Sequence, residues 1–283
     1  MIKYKNCTEV EFDKVYKAFS IGFSDYIIKF DMSKEVFSSH FFGPEGNKLE
    51  YSFIALDEEK AVGLILGGIK DYEGVKTIRC GTLCVHPEYR GKGISDKLFE
   101  LHKNIALDNK CKQMFLEVIK GNDRAIKFYE KYGYDKIYDL KYYYTKDTEV
   151  IKRKIDNIVD IKEVDFEDIV NISHMAGNTH MNWQNDFDYI KALKNVIHYG
   201  VYENSELIGA ISVSPGGKIY YIYTKAEYRN RGVAQSLITK AVDDLNLEKL
   251  YISFPSNINI EGFLKHVKFE KDEISQYEMY LTI

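Results

Sequence analysis

Val85-His86-Pro87-Glu88-Tyr89-Arg90-Gly91-Lys92-Gly93-Ile94-Ser95 is the stretch on which the reading of this chain turns. It sits between the apolar run Val75–Val85, read as a strand, and a segment from about Gly93 whose apolar residues recur at helical spacing. A loop in that place meets the N–H groups that the first turn of a helix leaves unpaired, together with the positive end of the helix dipole. Gly91 and Gly93 lack a Cβ, so a bulky anion can approach the backbone closely, and Arg90 and Lys92 add mobile positive charge. The ligand this predicts is a phosphate or pyrophosphate. The Walker A spacing and the three-glycine dinucleotide fingerprint both fit the stretch worse.

The stretch has an echo. Ala226-Glu227-Tyr228-Arg229-Asn230-Arg231-Gly232-Val233-Ala234 repeats its Glu-Tyr-Arg and its second glycine 139 residues on. A second pair, Asn122-x-x-Ala125-x-x-Phe128-Tyr129 and Asn257-x-x-Ile260-x-x-Phe263-Leu264, follows in the same order at an offset of 135. A repeat this long in 283 residues predicts two copies of a domain, 1–145 and 150–283, joined at the polar Thr145–Glu149. Each copy reads as a helix and a run of strands before the loop and strand–helix alternation after it. That is an α/β (α+β) pattern, a mixed sheet covered by helices.

Composition excludes several classes. Net charge is −4, which argues against general nucleic-acid binding through a basic footprint. The longest apolar run, Ala61–Ile69, falls far short of the ~20 residues that span a bilayer. The opening Met1-Ile-Lys-Tyr-Lys-Asn has no secretory apolar core, and Cys7, Cys80, Cys84 and Cys111 show no metal-binding spacing. The expectation is a cytoplasmic chain with reduced thiols and with neither nucleic acid nor membrane as partner. Residues 1–146 carry 24 basic and 22 acidic side chains, and 147–283 carry 15 and 21. An acidic second half suits either a cationic substrate or a solvated surface. Of 39 basic residues only six are Arg, and three of those, Arg90, Arg229 and Arg231, lie in the two loops.

Taken together, these motifs resemble the GNAT superfamily of acyl-CoA-dependent N-acyltransferases. Arg90-Gly91-Lys92-Gly93-Ile94-Ser95 looks like that family's [Gln/Arg]-x-x-Gly-x-[Gly/Ala] loop, with Ser95 as a small-for-small change, and Val85-His-Pro-Glu-Tyr-Arg90 is similar to the segment that precedes it. Asn122 to Tyr134 is similar to the second signature. The second half keeps the loop, while Leu264 stands where Tyr129 stands. The resemblance implies tandem GNAT-like domains, each a largely antiparallel, splayed sheet flanked by helices, with acetyl-CoA (coenzyme A) as the cofactor. By position it implies cofactor contacts from Leu83, Cys84, Val85, Arg90, Gly91, Lys92, Gly93, Ile94, Ser95, Asn122 and Ala125. In the second copy it implies Ile222, Tyr223, Thr224, Arg229, Asn230, Arg231, Gly232, Val233 and Ala234.

Acyl transfer to an amine needs a neutral amine and a proton for the leaving thiolate. A tyrosine suits the latter, since its reference pKa of about 10 lies close to the ~8.5 of a thiol. Tyr129 matches the family's acid, against the plainer reading of one packing aromatic among 23 tyrosines. Glu117, in the family-like Leu116-Glu117-Val118, reads either as a base acting through water or as a structural carboxylate paired with Arg79 or a lysine. Asp25 and His86 are weaker candidates, His86 more as a cap before Pro87. The acceptor region is aromatic, with Phe19, Phe23, Tyr26, Phe30, Phe37, Phe41 and Phe42, and His174, His180 and Trp183 cluster in the second copy without a metal motif. Transfer of acetyl to a primary amine on a small molecule or peptide, by a monomer or homodimer active in 1–145, is the leading reading. A CoA-binding scaffold without turnover, or catalysis in the second domain with a substitute acid such as Tyr223, stays open beside it.

Overall fold

A computed structural model describes residues 1–29, 31–151, 160–177 and 179–283; Phe30 and Arg153 lie outside these. The first half runs β1 (Ile2–Asn6), α1 (Phe12–Gly22), α2 (Lys34–Phe41), β2 (Lys48–Asp57), β3 (Lys60–Tyr72), β4 (Val75–Val85), α3 (Ile94–Asp108), β5 (Gln113–Ile119), α4 (Asp123–Lys131) and β6 (Asp135–Thr145). The second half runs β7 (Asp160–Glu163), α5 (Phe166–Ser173), α6 (Phe187–Ala192), β8 (Ile197–Glu203), β9 (Glu206–Val213), β10 (Lys218–Thr224), α7 (Val233–Leu245), β11 (Leu250–Pro255), α8 (Glu261–His266), β12 (Glu270–Lys271) and β13 (Gln276–Thr282). Helix α2 is one the sequence reading passed over. Its signal is Ser33, whose Oγ accepts from the Val36 N–H at 3.3 Å and caps the helix.

Two compact units result, and their limits differ from the expected 1–145 and 150–283. One comprises Met1–Ile137 with Glu278–Ile283; the other is Tyr138–Tyr277. Strand order in the first is β1-β2-β3-β4-β5-β13, and in the second β6-β11-β10-β9-β8-β7, with β12 beside β6. Each unit thus takes a closing strand from the other half of the chain. The repeat marks which segments are duplicated, whereas strand pairing decides which body each segment completes.

Within the first unit β1 through β4 pair antiparallel and β4 pairs parallel with β5. Within the second, β7 through β10 pair antiparallel, β10 runs parallel to β11, and β11 is antiparallel to β6. Strand β3 reads as an unbroken apolar run because both its faces are covered. A Cβ at Gly63 would press on Ile94 and Leu98 of α3, while Leu64, next along, joins Val15 and Phe19 of α1 and Phe37 of α2 in the core. The second unit repeats this: Gly209 lies under Val233 and Leu237 of α7, and Ala210 meets Ile169 and Ile172 of α5. Alternate residues of one strand therefore serve opposite helical layers. All four cysteines are buried free thiols. Among the described residues no helix is long and apolar enough to cross a membrane.

Candidate active site

Strands β4 and β5 stay together for only three residue pairs, the last being Arg79 with Phe115. Beyond it β4 continues to Val85 and β5 to Ile119, so the strands part into a fork. Leu83, Cys84 and Val85 pair with Ile65, Leu64 and Gly63 of β3, which leaves their other edge toward the fork. One extra residue, Gly81, stands in β4 between the pairs Leu66–Thr82 and Gly67–Cys80, a bulge that bends the strand there. The second unit has the same device. Its last pair is Ile219 with Ile252, Tyr220 is the extra residue, and Ile222, Tyr223 and Thr224 pair with β9 alone.

The loop after β4 closes through its own side chains. His86 Nδ1 accepts from the Glu88 N–H at 3.2 Å, so His86 is the cap that the sequence suggests. Gly91 and Gly93 take φ of 75° and 76°, the left-handed region, and Gly93 precedes α3 with no side-chain cap. A Cβ at either glycine would meet nothing within 4 Å among the described residues. The uncapped helix start and the open backbone beside it fit a pyrophosphate. In the second unit Gly232 has φ 83° and Asn230, in the place of Gly91, has φ 61°, a conformation that Asn tolerates better than most residues.

The two leading arginines are held by contacts of their own. Arg90 donates through Nε to the Val85 carbonyl at 3.1 Å, and its two terminal nitrogens hold Asp25 at 2.5 and 2.6 Å. Asp25 is drawn below the usual carboxylate range by that hydrogen-bonded pairing. Arg229 repeats the strand contact, Nε to the Thr224 carbonyl at 3.3 Å. Both side chains clasp the loop to the strand that leads into it. Lys92 lies 4.7 Å over the Tyr89 ring, and Arg231 lies 4.9 Å over Tyr228 and pairs with Glu203 at 2.7 Å. Ile94 and Val233 are buried in the core, so only their backbones can face a ligand. Ser95 and Ala234 are half-buried in the first turns of α3 and α7. Asn122 caps α4, its Oδ1 accepting from the Ala125 N–H at 3.3 Å, and its Nδ2 donates to Tyr26 Oη at 3.4 Å.

Tyr129 and Glu117 reach the fork from opposite faces. Tyr129 lies buried on α4, and its Oη is 3.8 Å from Cys80 Sγ. Burial holds the phenol well above its ordinary pKa of 10, so it keeps its proton throughout the neutral range. Glu117 lies across from Arg79, whose Nη2 donates to it at 2.6 Å, while Nη1 of the same guanidinium donates to Glu45. Burial pushes the Glu117 carboxyl up to about 7 against the pull of Arg79, with Glu278 and Glu45 pushing the same way. Glu45 falls to about 2, because Arg79 and His40 outweigh its burial. Arg79 and Cys80 are neighbours on β4 and point to opposite faces, which separates hydroxyl from carboxylate.

Register identifies the counterparts in the second unit. Lys218 with Tyr251 occupies the place of Arg79 with Phe115, as the matching bulges at Tyr220 and Gly81 require. Two residues on, Ser253 stands for Glu117, and its carbonyl accepts from Asn185 Nδ2 at 2.7 Å. Leu264, 1% exposed, stands for Tyr129. His180 stacks on Tyr138 with ring centroids 4.3 Å apart, and Trp183 is buried. The residues that sequence reasoning missed are Glu45, Cys80 and Glu278. The available signal for Glu278 was an acid inside the apolar strand Tyr277-Glu278-Met279-Tyr280-Leu281.

The forked mixed sheet, with a glycine loop at the mouth of the fork, has the architecture of a CoA-type acyltransferase fold. The model of the GNAT acetyltransferase family matches residues 15–134 and 158–267, so the chain belongs to that family and is an acyl-CoA-dependent N-acetyltransferase. N-alpha-acetyltransferase 30 of Schizosaccharomyces pombe is 30% identical over 105 residues, 36% of this chain and 69% of the relative. Thialysine N-epsilon-acetyltransferase of Bos taurus is 43% identical over 49 residues, 17% of this chain and 29% of that protein. Among solved structures, a tandem GNAT protein from the clavulanic acid biosynthesis pathway matches with a TM-score of 0.72 at 12% identity, covering 100% of this chain and 98% of that one. That likeness is one of fold.

Proposed function

We propose that the first unit transfers acetyl from acetyl-CoA to a primary amine, and that the second unit is a cofactor-binding copy without turnover. The observation that carries this is the pairing of differences at one register: Tyr129 and Glu117 in the first unit against Leu264 and Ser253 in the second. Neither leucine nor serine offers a buried phenol's proton or a carboxylate's basicity.

Acetyl-CoA supplies the activated thioester. The open edge of Leu83–Val85 holds its amide-bearing arm, and the N–H groups around Gly91–Ser95 receive its pyrophosphate. Asn122 and Ala125 line the same fork at the start of α4. Tyr129 holds a proton at Oη for the leaving sulfur, and Glu117 receives one from the amine through water. In the second unit Tyr223, Thr224 and the Arg229–Ala234 loop bind the same ligand. The names of the two relatives, an N-alpha-acetyltransferase and a thialysine N-epsilon-acetyltransferase, point to an α-amine and to the side-chain amine of thialysine, and either supplies an acceptor of the required kind.

Paired glycine variants test the assignment. Gly93→Ala places a methyl group where a phosphate would approach the loop, and Gly232→Ala does the same in the second unit. With a panel of peptide and small-molecule amines, G93A raises KM for acetyl-CoA by about tenfold or more, the worth of one charge-assisted hydrogen bond. G232A leaves turnover as it is and removes one site from a calorimetric titration with CoA. The reverse pattern assigns catalysis to the second unit, and CoA binding without acetylation of any amine supports the scaffold reading.

A further inference from the structure

The last strand brings a second carboxylate to Glu117. The Ile283 N–H donates to the Lys112 carbonyl at 3.1 Å, and the rings of Tyr280 and Phe115 lie 4.9 Å apart. Strands β13 and β5 are neighbours, and the two contacts, 283 with 112 and 280 with 115, fit an antiparallel pair in a single register. Continuing two residues from Tyr280 opposite Phe115 sets Glu278 directly opposite Glu117. In an antiparallel pair the side chains of such residues stand on one face with Cβ atoms about 4.5–5.5 Å apart. Both carboxyl groups are buried, Glu278 at 0% and the Glu117 side chain at 3% exposure.

The charges around Glu117 are unevenly matched. Arg79 of β4 is the cation that faces it, and Glu45 claims half of that guanidinium. Glu278 of β13 and Glu45, ahead of β2, are the acids, and Tyr72 of β3 and Tyr280 of β13 are the phenols within its field. Glu117 Oε1 is buried with no hydrogen-bond partner among the described residues. Two carboxyl groups in one desolvated place cannot both ionise cheaply, so one retains its proton further toward neutral pH.

We propose that Glu278 is a positioning residue that sets the proton affinity of Glu117 from directly across the strand pair. The residue nearly last in the chain thereby tunes a group in the fork of the first unit. This rests on Glu117 as the base only for its catalytic consequence; the tuning itself is a property of the pair. Burial is the main cause that raises Glu117 to about 7, and Glu278 adds to it in the same direction. A base of that affinity is best matched to work near neutral pH.

The test is a carbon-13 NMR titration of the full chain labelled at glutamate carboxyls, run beside the pH profile of kcat/KM. The wild type shows one resonance titrating near 7, which Glu117→Gln removes. Glu278→Gln lowers that midpoint by about one pH unit or more, and Glu278→Asp, which keeps a charge one methylene further away, lowers it by less. The acidic limb of kcat/KM moves down with it. A midpoint unchanged in E278Q, or one that falls as far in E278D as in E278Q, overturns the proposal. Full turnover in E117Q removes the base assignment, while the NMR shift still decides the tuning.

Discussion

Replacing Tyr129 with Phe lowers kcat for acetyl transfer by roughly 10²–10⁴-fold, the range for loss of a positioned general acid. The substitution removes one oxygen from a buried side chain and leaves the ring packed on Phe128 and Tyr134 at 5.4 and 5.6 Å. It also removes the approach of Oη to Cys80 Sγ at 3.8 Å, a weak hydrogen bond, so stability falls by about 1 kcal/mol or less. The substitution leaves the Gly91–Ser95 loop unchanged, so KM for acetyl-CoA stays within a fewfold of wild type. The pH dependence is diagnostic. With the phenol held well above 10, the wild type keeps its acid from pH 7 to 9 and kcat does not decline across that window. Steady-state rates for both proteins between pH 7 and 9 check this, and a Y129F kcat within threefold of wild type sinks the acid assignment.

The second large effect is structural. A fragment of residues 1–145 fails to fold cooperatively, although the sequence repeat marks it as a whole domain. It lacks Glu278–Ile283, which complete the first unit beside β5, and it carries β6 without β11, its partner in the second unit. The missing strand buries Met279 completely and sets Tyr280 against Phe115 and Tyr72. One fully buried methionine accounts for about 1.5–3 kcal/mol, and an aromatic side chain for a similar amount. With the ladder hydrogen bonds of β13 also gone, the deficit reaches the ~5–15 kcal/mol that stabilises a whole domain. The bared edge of β5 also invites aggregation. Circular dichroism melts and dye binding report the outcome, and co-expression with residues 146–283 restores activity. A soluble 1–145 fragment that melts cooperatively and acetylates amines would refute the mutual strand dependence.

Much of the site was legible because its parts are local. The candidate anion loop is one strand end, two left-handed glycines and one helix start, all within Val85–Ser95, and its copy keeps Asn230 where the backbone needs a residue tolerant of φ 61°. Tyr129 was legible for the same reason, lying seven residues after its cap Asn122. Helix α2 escaped because its aromatic residues, Phe37 and Phe41, read equally well as a pocket wall. The ion pair of Arg90 was not legible, because Asp25 lies 65 residues away in sequence. A scarce arginine in a glycine loop reads as ligand-facing charge, and the fold adds that it fastens the loop to β4.

Pattern and spacing alone determined that this chain carries two copies of one α/β unit, each with a glycine loop between strand and helix, and that only the first keeps the phenol. These follow from local backbone rules and from the offset of 139 residues, neither of which needs a third dimension. Tertiary structure decided which strand closes which unit, and so which buried acids meet. Hydrogen-bond pairing between strands is non-local, and no periodicity in either half records that Glu278 stands across from Glu117. The electrostatics of the fork depend on that pairing, because the field at a buried carboxyl is set by what the fold brings within a few ångströms.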